Sequence, residues 1–337
     1  MKGFEMSNRF LSRDKEAAIV NIKTCFQVTI WLAILASVLR SVAYLTVFDS
    51  EIGYFNEGIL NTAVNALILL SCVFLLSGFI FISKEAKLPS AVDNSANSIF
   101  FSASFAGFIM LADFFYKMYN QLGGDKFEYY KYIFDPAYRA ENSYLIRATA
   151  IIEIFGVLAS VLSAICFFVR ASKNPKEKLS AWLGFFPIVR ALVGVAQIYF
   201  EMKVQMNHPS KLMLQFALIS IMYYFLSEER MYVSKDHARP RRLFVSGCIA
   251  YFLAFTCGVS EIVGFFTGAL SEGNFCVEAF FCLVVSIYIL ARTNAFVRAA
   301  SALPCVEELT LEEAPIEEDS NEEVPSDETA TEEQAEE

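Results

Sequence analysis

The chain is 337 residues long, 55% hydrophobic and only 19% charged, with 33 phenylalanines and a mean hydropathy of +0.44. That much apolar surface cannot be solvated, and it comes in long blocks, not on one helical stripe, which excludes a water-soluble globular fold. The net charge of −10 belongs to the C-terminal stretch: residues 306–337 hold 15 acidic side chains and no basic one, so residues 1–305 carry +5.

A bilayer core of about 30 Å needs roughly 20 apolar residues per helix. Eight blocks qualify, at about 25–48, 60–83, 98–119, 146–169, 181–200, 211–227, 243–270 and 276–291. The sixth is short and the eighth shorter, so the reading is eight helices with seven as the alternative. A helix satisfies its own backbone in lipid, and no short alternating barrel strands occur. The expected fold is therefore all-α, a polytopic helical membrane bundle.

Residues 1–24 are basic, and no small-residue cleavage site follows the first block, which reads as a retained helix. Inside that block, "WLAILASVLRSVAYLTVF" (31–48) places Arg40 nine residues before Asp49, with Tyr44 at i+4. The second block carries Asn61 and Asn65 near its start. The third carries Asp113, which shares a helical face with Ala106 and Ser102 at i−7 and i−11. The following segment, 117–147, sets Phe127, Tyr130 and Phe134 on one face between Gly123-Gly124 and Asp135-Pro136. It reads as an amphipathic helix in the membrane interface, or as a lid over a pocket.

The fourth block places Glu153 on one face with Gly156 and Ser160. The fifth, "WLGFFPIVRALVGVAQIYF" (182–200), centres on Arg190, with Gln197 at i+7 and Pro187 loosening the helix three residues earlier. The sixth carries Gln215. The seventh places Glu261 with Gly264 and Gly268, a small-xxx-small pair of the kind that marks helix contacts in membranes. The cysteines lie mostly within or beside the blocks and form no CxxC, so they read as small core residues; no metal ligand set and no cofactor is expected.

At 1.5 Å per residue, Arg40 and Arg190 lie about 13–17 Å below the nearer ends of their helices. Asp113, Glu153 and Glu261 lie at similar levels. The candidate buried polar site is therefore Arg40, Asp113, Glu153, Arg190, Gln197 and Glu261, gathered in one half of the bundle, with almost no charge in the other half. An unpaired charge in lipid costs at least a few kcal/mol. The expectation is that Arg190 pairs with Glu261 or Glu153, and Arg40 with Asp113 or Glu153.

Segments on the N-terminal side of the membrane hold 18 of the 27 basic residues and the opposite segments 7. The positive-inside rule then places both termini in the cytoplasm and the buried charges in the outer half. The chain also resembles itself: at an offset of 151, Trp31-Leu32 matches Trp182-Leu183, Ala66-Leu67-Ile68 matches Ala217-Leu218-Ile219, and Phe74-Leu75 matches Phe225-Leu226. Arg40 and Arg190 differ by 150. The organisation read from this is a cytoplasmic segment 1–24, a four-helix repeat over 25–170, a second, parallel repeat over 171–300, and a disordered acidic cytoplasmic tail over 301–337.

No HExxH, GxSxG or Gly-rich phosphate loop occurs, and both histidines, His208 and His237, fall in loops, so enzyme chemistry is not indicated. "KDHARPRR" (235–242) suits anionic lipid at least as well as a nucleic acid, and no nucleic-acid role is expected. "YLTVFDSEIGYFNEG" (44–58) and "NHPSKLMLQFALISIMYYFLSEERM" (207–231) resemble segments of uncharacterised multi-pass membrane proteins of clostridial-type bacteria. That resemblance implies a bacterial plasma membrane and carries no activity and no site residues. The partners expected are the lipid bilayer, a small polar or anionic solute bound at the buried charges, with the two arginines as anion ligands, and a basic protein for the acidic tail. The alternative is a membrane scaffold or sensor whose buried charges are structural.

Overall fold

Among the described residues, eight helices are long and apolar enough to cross a membrane, and helix makes up 92% of the structure. The structure, a computed structural model, describes residues 2–49, 53–81, 89, 96–123, 136–137, 144–172, 177–200, 208–233, 239–268 and 273–302. The interfacial helix expected over 117–147, beyond Gly123, and the acidic tail lie outside the described residues.

The elements in chain order are α1 (Lys2–Thr46), a two-strand hairpin of β1 (Phe48–Asp49) and β2 (Tyr54–Phe55), α2 (Ile59–Phe81), α3 (Asn97–Gly123) and α4 (Tyr144–Ala171). Then come α5 (Glu177–Leu183) and α6 (Phe185–Phe200), α7 (Pro209–Val233), α8 (Pro240–Phe266) and α9 (Gly273–Ala302). The basic N-terminal segment is thus not separate from the first span: α1 runs through both without a break. The two blocks that look short in the sequence are full spans of 25 and 26 residues. They lengthen because charged residues at their ends are buried in the bundle and belong to the helices.

The fifth span is broken between Leu183 and Phe185. Pro187 has no N–H for the carbonyl of Leu183, and its ring crowds that carbonyl, so the helix cannot run straight through. Gly184 occupies the break, its N–H donating to the carbonyl of Ser180 at 3.0 Å.

α8 is the central helix, packed by α1, α2, α7 and α9, and 83% of its spanning window is buried. Glycine allows the closest of these approaches: a Cβ on Gly258 would meet the backbone of Leu283 on α9 at 2.8 Å. α3 packs on α4 and α9, and α6 lies between α4 and α7. α2 touches only the outside, on α1 and α8. Alanines at full burial (Ala33, Ala36, Ala103, Ala106, Ala191, Ala217, Ala250, Ala254) bring the helices close, as small residues do in membranes. Phe167, Phe225 and Tyr288 from α4, α7 and α9 fill the remaining width, with ring centroids 5.2–6.1 Å apart.

This up-and-down arrangement collects the C-terminal ends of α1, α3, α6 and α8 with the N-terminal ends of α2, α4, α7 and α9. The β-hairpin sits there, so it is called the hairpin end; the other is the opposite end.

Candidate functional site

Three networks of buried charge hold the helices together, two near the hairpin end and one near the opposite end. In the first, Arg40 on α1 reaches Glu261 on α8, Nη2 to Oε1 at 3.1 Å, with the two side chains 2% and 0% exposed. Tyr44, one turn after Arg40, donates its hydroxyl to the same Oε1 at 2.7 Å. Its single proton being used, it accepts from Arg40 Nη2 at 3.4 Å and from Ser210 Oγ, at the start of α7, at 2.7 Å. The hairpin covers this group. Phe55 lies against the Arg40 guanidinium, centroid at 5.5 Å, and the Tyr44, Phe48 and Phe55 rings pack at 4.9–5.1 Å. Gly53 turns the hairpin at φ 76°, where His208 leaves no space: a Cβ would lie 3.1 Å from its ring.

His208 closes the N-terminus of α7. Its Nδ1 accepts the backbone N–H of Ser210 at 3.2 Å, which fixes a neutral imidazole with its proton on Nε2. Burial, together with the nearby Arg40 and Lys211 charges, pushes His208 down to about 4.

The second network centres on Arg190. Its guanidinium grips Glu278 of α9 with two parallel bonds, Nη2 to Oε1 at 2.8 Å and Nη1 to Oε2 at 3.0 Å, and its Nε donates to Asp113 Oδ2 of α3 at 3.0 Å. Phe281 covers the guanidinium face at 4.7 Å from the ring centroid. Ser160 of α4 donates to the same Asp113 oxygen at 2.6 Å, and Lys117, one turn along α3, places its ammonium 3.3 Å from it. Four helices thus meet on one carboxylate and one guanidinium. The two cations, Arg190 and Lys117, balance the two carboxylates, Asp113 and Glu278.

The charges balance, but the hydrogen bonds do not. Asp113 Oδ1 and the Lys117 ammonium are both buried without a hydrogen-bond partner, although Lys117 is only 7% exposed. Two hydrogen bonds and the Lys117 ion pair fall on Oδ2, while Oδ1, on the same carboxylate, has no hydrogen bond. Gly156 makes room beside them. A Cβ there would stand 3.6 Å from Lys117 Nζ and 3.4 Å from Gln197 Nε2. An unused donor and an unused acceptor therefore lie side by side, with the Gln197 amide near.

The sequence-derived candidates are thus distributed between the two networks of the hairpin end. Arg190 and Asp113 meet in one, with Gln197 beside Gly156 at its edge, and Arg40 and Glu261 form the other. Glu153, half-buried on α4, joins neither ion pair. The expected partners are exchanged: Arg40 takes Glu261, and Arg190 takes Asp113 and Glu278. Arg190 gives its Nε and both Nη groups to carboxylates, whereas Arg40 reaches Glu261 through Nη2 and its buried Nε makes no hydrogen bond. Asn61 and Asn65 bond to each other at an exposed position, 3.0 Å apart, outside both networks. Gly268 ends α8 at φ 77° with open space around it and makes no helix contact. Lys117 and Glu278 were absent from the candidates because each lies at the edge of an apolar block, where the sequence reads a boundary.

The opposite end corrects the expectation that it is nearly free of charge. Arg170 at the end of α4 reaches Glu228 of α7, Nη1 to Oε2 at 2.7 Å, and also pairs with Glu229. Arg292 of α9 donates its Nε to the other oxygen of Glu228 at 2.8 Å, and Tyr288 donates to that oxygen at 3.1 Å. Tyr232 bonds Arg292 in turn. Arg170 and Glu228 are fully buried, and Arg292 is 3% exposed. Gly184, in the break of the fifth span, supplies the space: a Cβ there would overlap the Glu229 carboxylate and Arg170. Hydropathy alone assigns these residues to connecting segments, because each stands at the end of an apolar run.

Among the described residues, no group of three or more His, Cys, Asp or Glu is placed to hold a metal ion, and the described cysteines are free. No family model, no curated protein and no solved structure matches the chain.

Proposed function

We propose that the chain binds a small polar or anionic solute at the hairpin end and carries it across the membrane. The observation that supports this most is the neighbouring pair of unused groups, the Lys117 ammonium and Asp113 Oδ1. A buried donor and acceptor left open cost about 1–3 kcal/mol each, so a solute that offers both an acceptor and a donor is stabilised there. Lys117 joins the arginines in the role the sequence suggested for them, because its buried ammonium makes no hydrogen bond. Gln197 adds an adjustable amide.

The same reading places the chain in a bacterial plasma membrane, with both termini cytoplasmic and the hairpin end outside. It also treats the halves 25–170 and 171–300 as parallel repeats. In support, Arg40 of the first half pairs with Glu261 of the second, and Arg190 of the second pairs with Asp113 of the first. Exchanging the halves exchanges the two pairs. At the opposite end Arg170 of the first half pairs with Glu228 of the second. Ion pairs thus cross between the halves at both ends, where they can part in alternation and expose the Lys117 region to one side at a time.

The test is ligand-induced stabilisation. The purified protein is melted in detergent with a panel of carboxylates, phosphates and amino acids. At 100 times its Kd a solute adds about 2.7 kcal/mol, which raises Tm by several degrees. The expected result is such a rise for wild type and its loss in a folded Lys117→Gln variant. No rise with any solute, or an unchanged rise in Lys117→Gln, would count against the proposal. The second outcome would move the site elsewhere. The first favours the scaffold reading, in which the buried ion pairs fix the helices against one another.

A further inference from the structure

A groove of about 530 Å³ opens between α1, α3 and α9 in the half of the bundle toward the opposite end. Phe101 and Phe105 form one wall, Phe26 and Ile30 the other, and Ile287 and Leu290 the floor. α2, which follows α1 in the chain, packs on α1 and α8 instead, so among the described helices none covers the groove. Phe101 is 69% exposed and Phe105 45%, so both line an opening toward the bilayer.

The groove has a polarity order. Ser98, one residue into α3, and Asn294 mark its end near the membrane surface; Phe105 and Ile287 mark its inner end. Seven residues separate each pair along its helix, about 10 Å of depth at 1.5 Å per residue. The Asn294 side chain makes no hydrogen bond with another described residue, and its groove-lining neighbours on α9, Ile287, Leu290 and Ala291, are apolar; the Ser102 hydroxyl, also in the lining, is spent on the Ile99 carbonyl. A helix of some 20 residues is about 30 Å long and 10 Å wide, far too large for this volume. One flexible hydrocarbon chain with a polar group at its surface end fits both the size and the order.

We propose that this groove is a binding site for one acyl chain of a membrane phospholipid, with Ser98 and Asn294 facing the ester and head-group region. The bilayer supplies the ligand at high local concentration, and the apolar walls replace contacts the chain makes with neighbouring lipids. The Asn294 amide distinguishes the site from the ordinary lipid-facing surface, because it gives the ester carbonyl a donor.

The experiment uses the full chain reconstituted in vesicles of phosphatidylethanolamine and phosphatidylglycerol, re-extracted in detergent, washed extensively and analysed by native mass spectrometry. Wild type should retain one phospholipid per chain. Ala291→Phe, which fills the floor, and Asn294→Leu, which removes the donor, should each lower the retained fraction at least fivefold. Leu70→Phe, on the exposed face of α2, should leave it unchanged. Failure of wild type to retain a phospholipid would overturn the proposal, as would equal retention in both groove variants. A retained second copy of the chain that is lost in Ala291→Phe would also overturn it and assign the groove to self-association. If Ala291→Phe does not fold, Asn294→Leu decides alone.

Discussion

Glu278 Oε2 lies where a side chain on Gly194 would be: a Cβ on that glycine would stand 2.5 Å from the carboxylate oxygen that Arg190 holds at 3.0 Å. The absence of a side chain on α6, four residues after Arg190, is what lets the carboxylate of α9 come down to its guanidinium. Gly194→Ala should therefore push Glu278 out of its two-bond geometry and destabilise by about 1–3 kcal/mol, the usual cost of overpacking or of losing a charged hydrogen bond. Gly78→Ala, whose new methyl would find only Cys25 Sγ at 3.6 Å, should be nearly neutral. Thermal melts of the two variants in one detergent check the contrast.

The network at the opposite end predicts a larger loss. Glu228 receives Arg170, Arg292 and Tyr288 on its two oxygens. Glu228→Gln keeps the shape and removes the charge, taking from two buried guanidinium groups the carboxylate they share. The expected cost is about 3–5 kcal/mol, as for other buried ions robbed of their partner. Folded yield and Tm report it, and Glu57→Gln, exposed before α2, serves as the control. A Glu228→Gln protein that melts with wild type would show that water reaches this end freely.

How much of this was legible beforehand follows from what each signal measures. Hydropathy measures blocks, and the eight blocks are the eight spans. The cost of a charge in lipid marks Arg40, Asp113, Glu153, Arg190 and Glu261 as buried; four of them are, and Glu153 is half-buried. Partner choice depends on which helices become neighbours, and periodicity on a single helix does not contain that. α8 lies against α1, so Glu261 meets Arg40, while Arg190 on α6 meets Asp113 of α3 and Glu278 of α9. The residues at block edges were lost for another reason: a boundary charge reads as solvated. A same-face test would have recovered some of them. Glu278 and Arg292 are fourteen residues apart, four turns, with buried Phe281, Cys282, Val285, Tyr288 and Ile289 between them on that face. Lys117 follows Asp113 by one turn.

His208 makes the hairpin end sensitive to acid. Its ordinary value is 6.5, and the folded protein holds it at about 4. Between these values the unfolded chain binds a proton that the folded chain refuses, so stability rises with pH in this window. The contribution is complete above pH 6.5 and is lost as pH falls toward 4, where protonation removes the acceptor that caps α7. Melting wild type and His208→Gln at pH 7.5 and pH 5 should show a larger drop for wild type. Equal drops would assign the acid sensitivity to other groups.

Orientation is checked by reporter fusions. A periplasm-active reporter joined after Gly123, at the end of α3, should be active, and one joined after Ala302, at the end of α9, should be silent. The reverse pattern would invert the topology and place the Lys117 region on the cytoplasmic side.

The central claim is that the buried charges are compensated in specific pairs across helices, and a cross-matched set of leucine variants measures it most directly. Arg40→Leu, Arg190→Leu, Glu261→Leu and Glu278→Leu are melted singly and in the four mixed doubles. Each single should cost about 3–5 kcal/mol because it strands a buried partner. Arg40→Leu with Glu261→Leu should recover part of the loss, and so should Arg190→Leu with Glu278→Leu. Arg190→Leu with Glu261→Leu, and Arg40→Leu with Glu278→Leu, should be additive within about 0.5 kcal/mol, as for sites that share no partner. Recovery in the Arg190–Glu261 double, or four well-tolerated singles, would contradict the account.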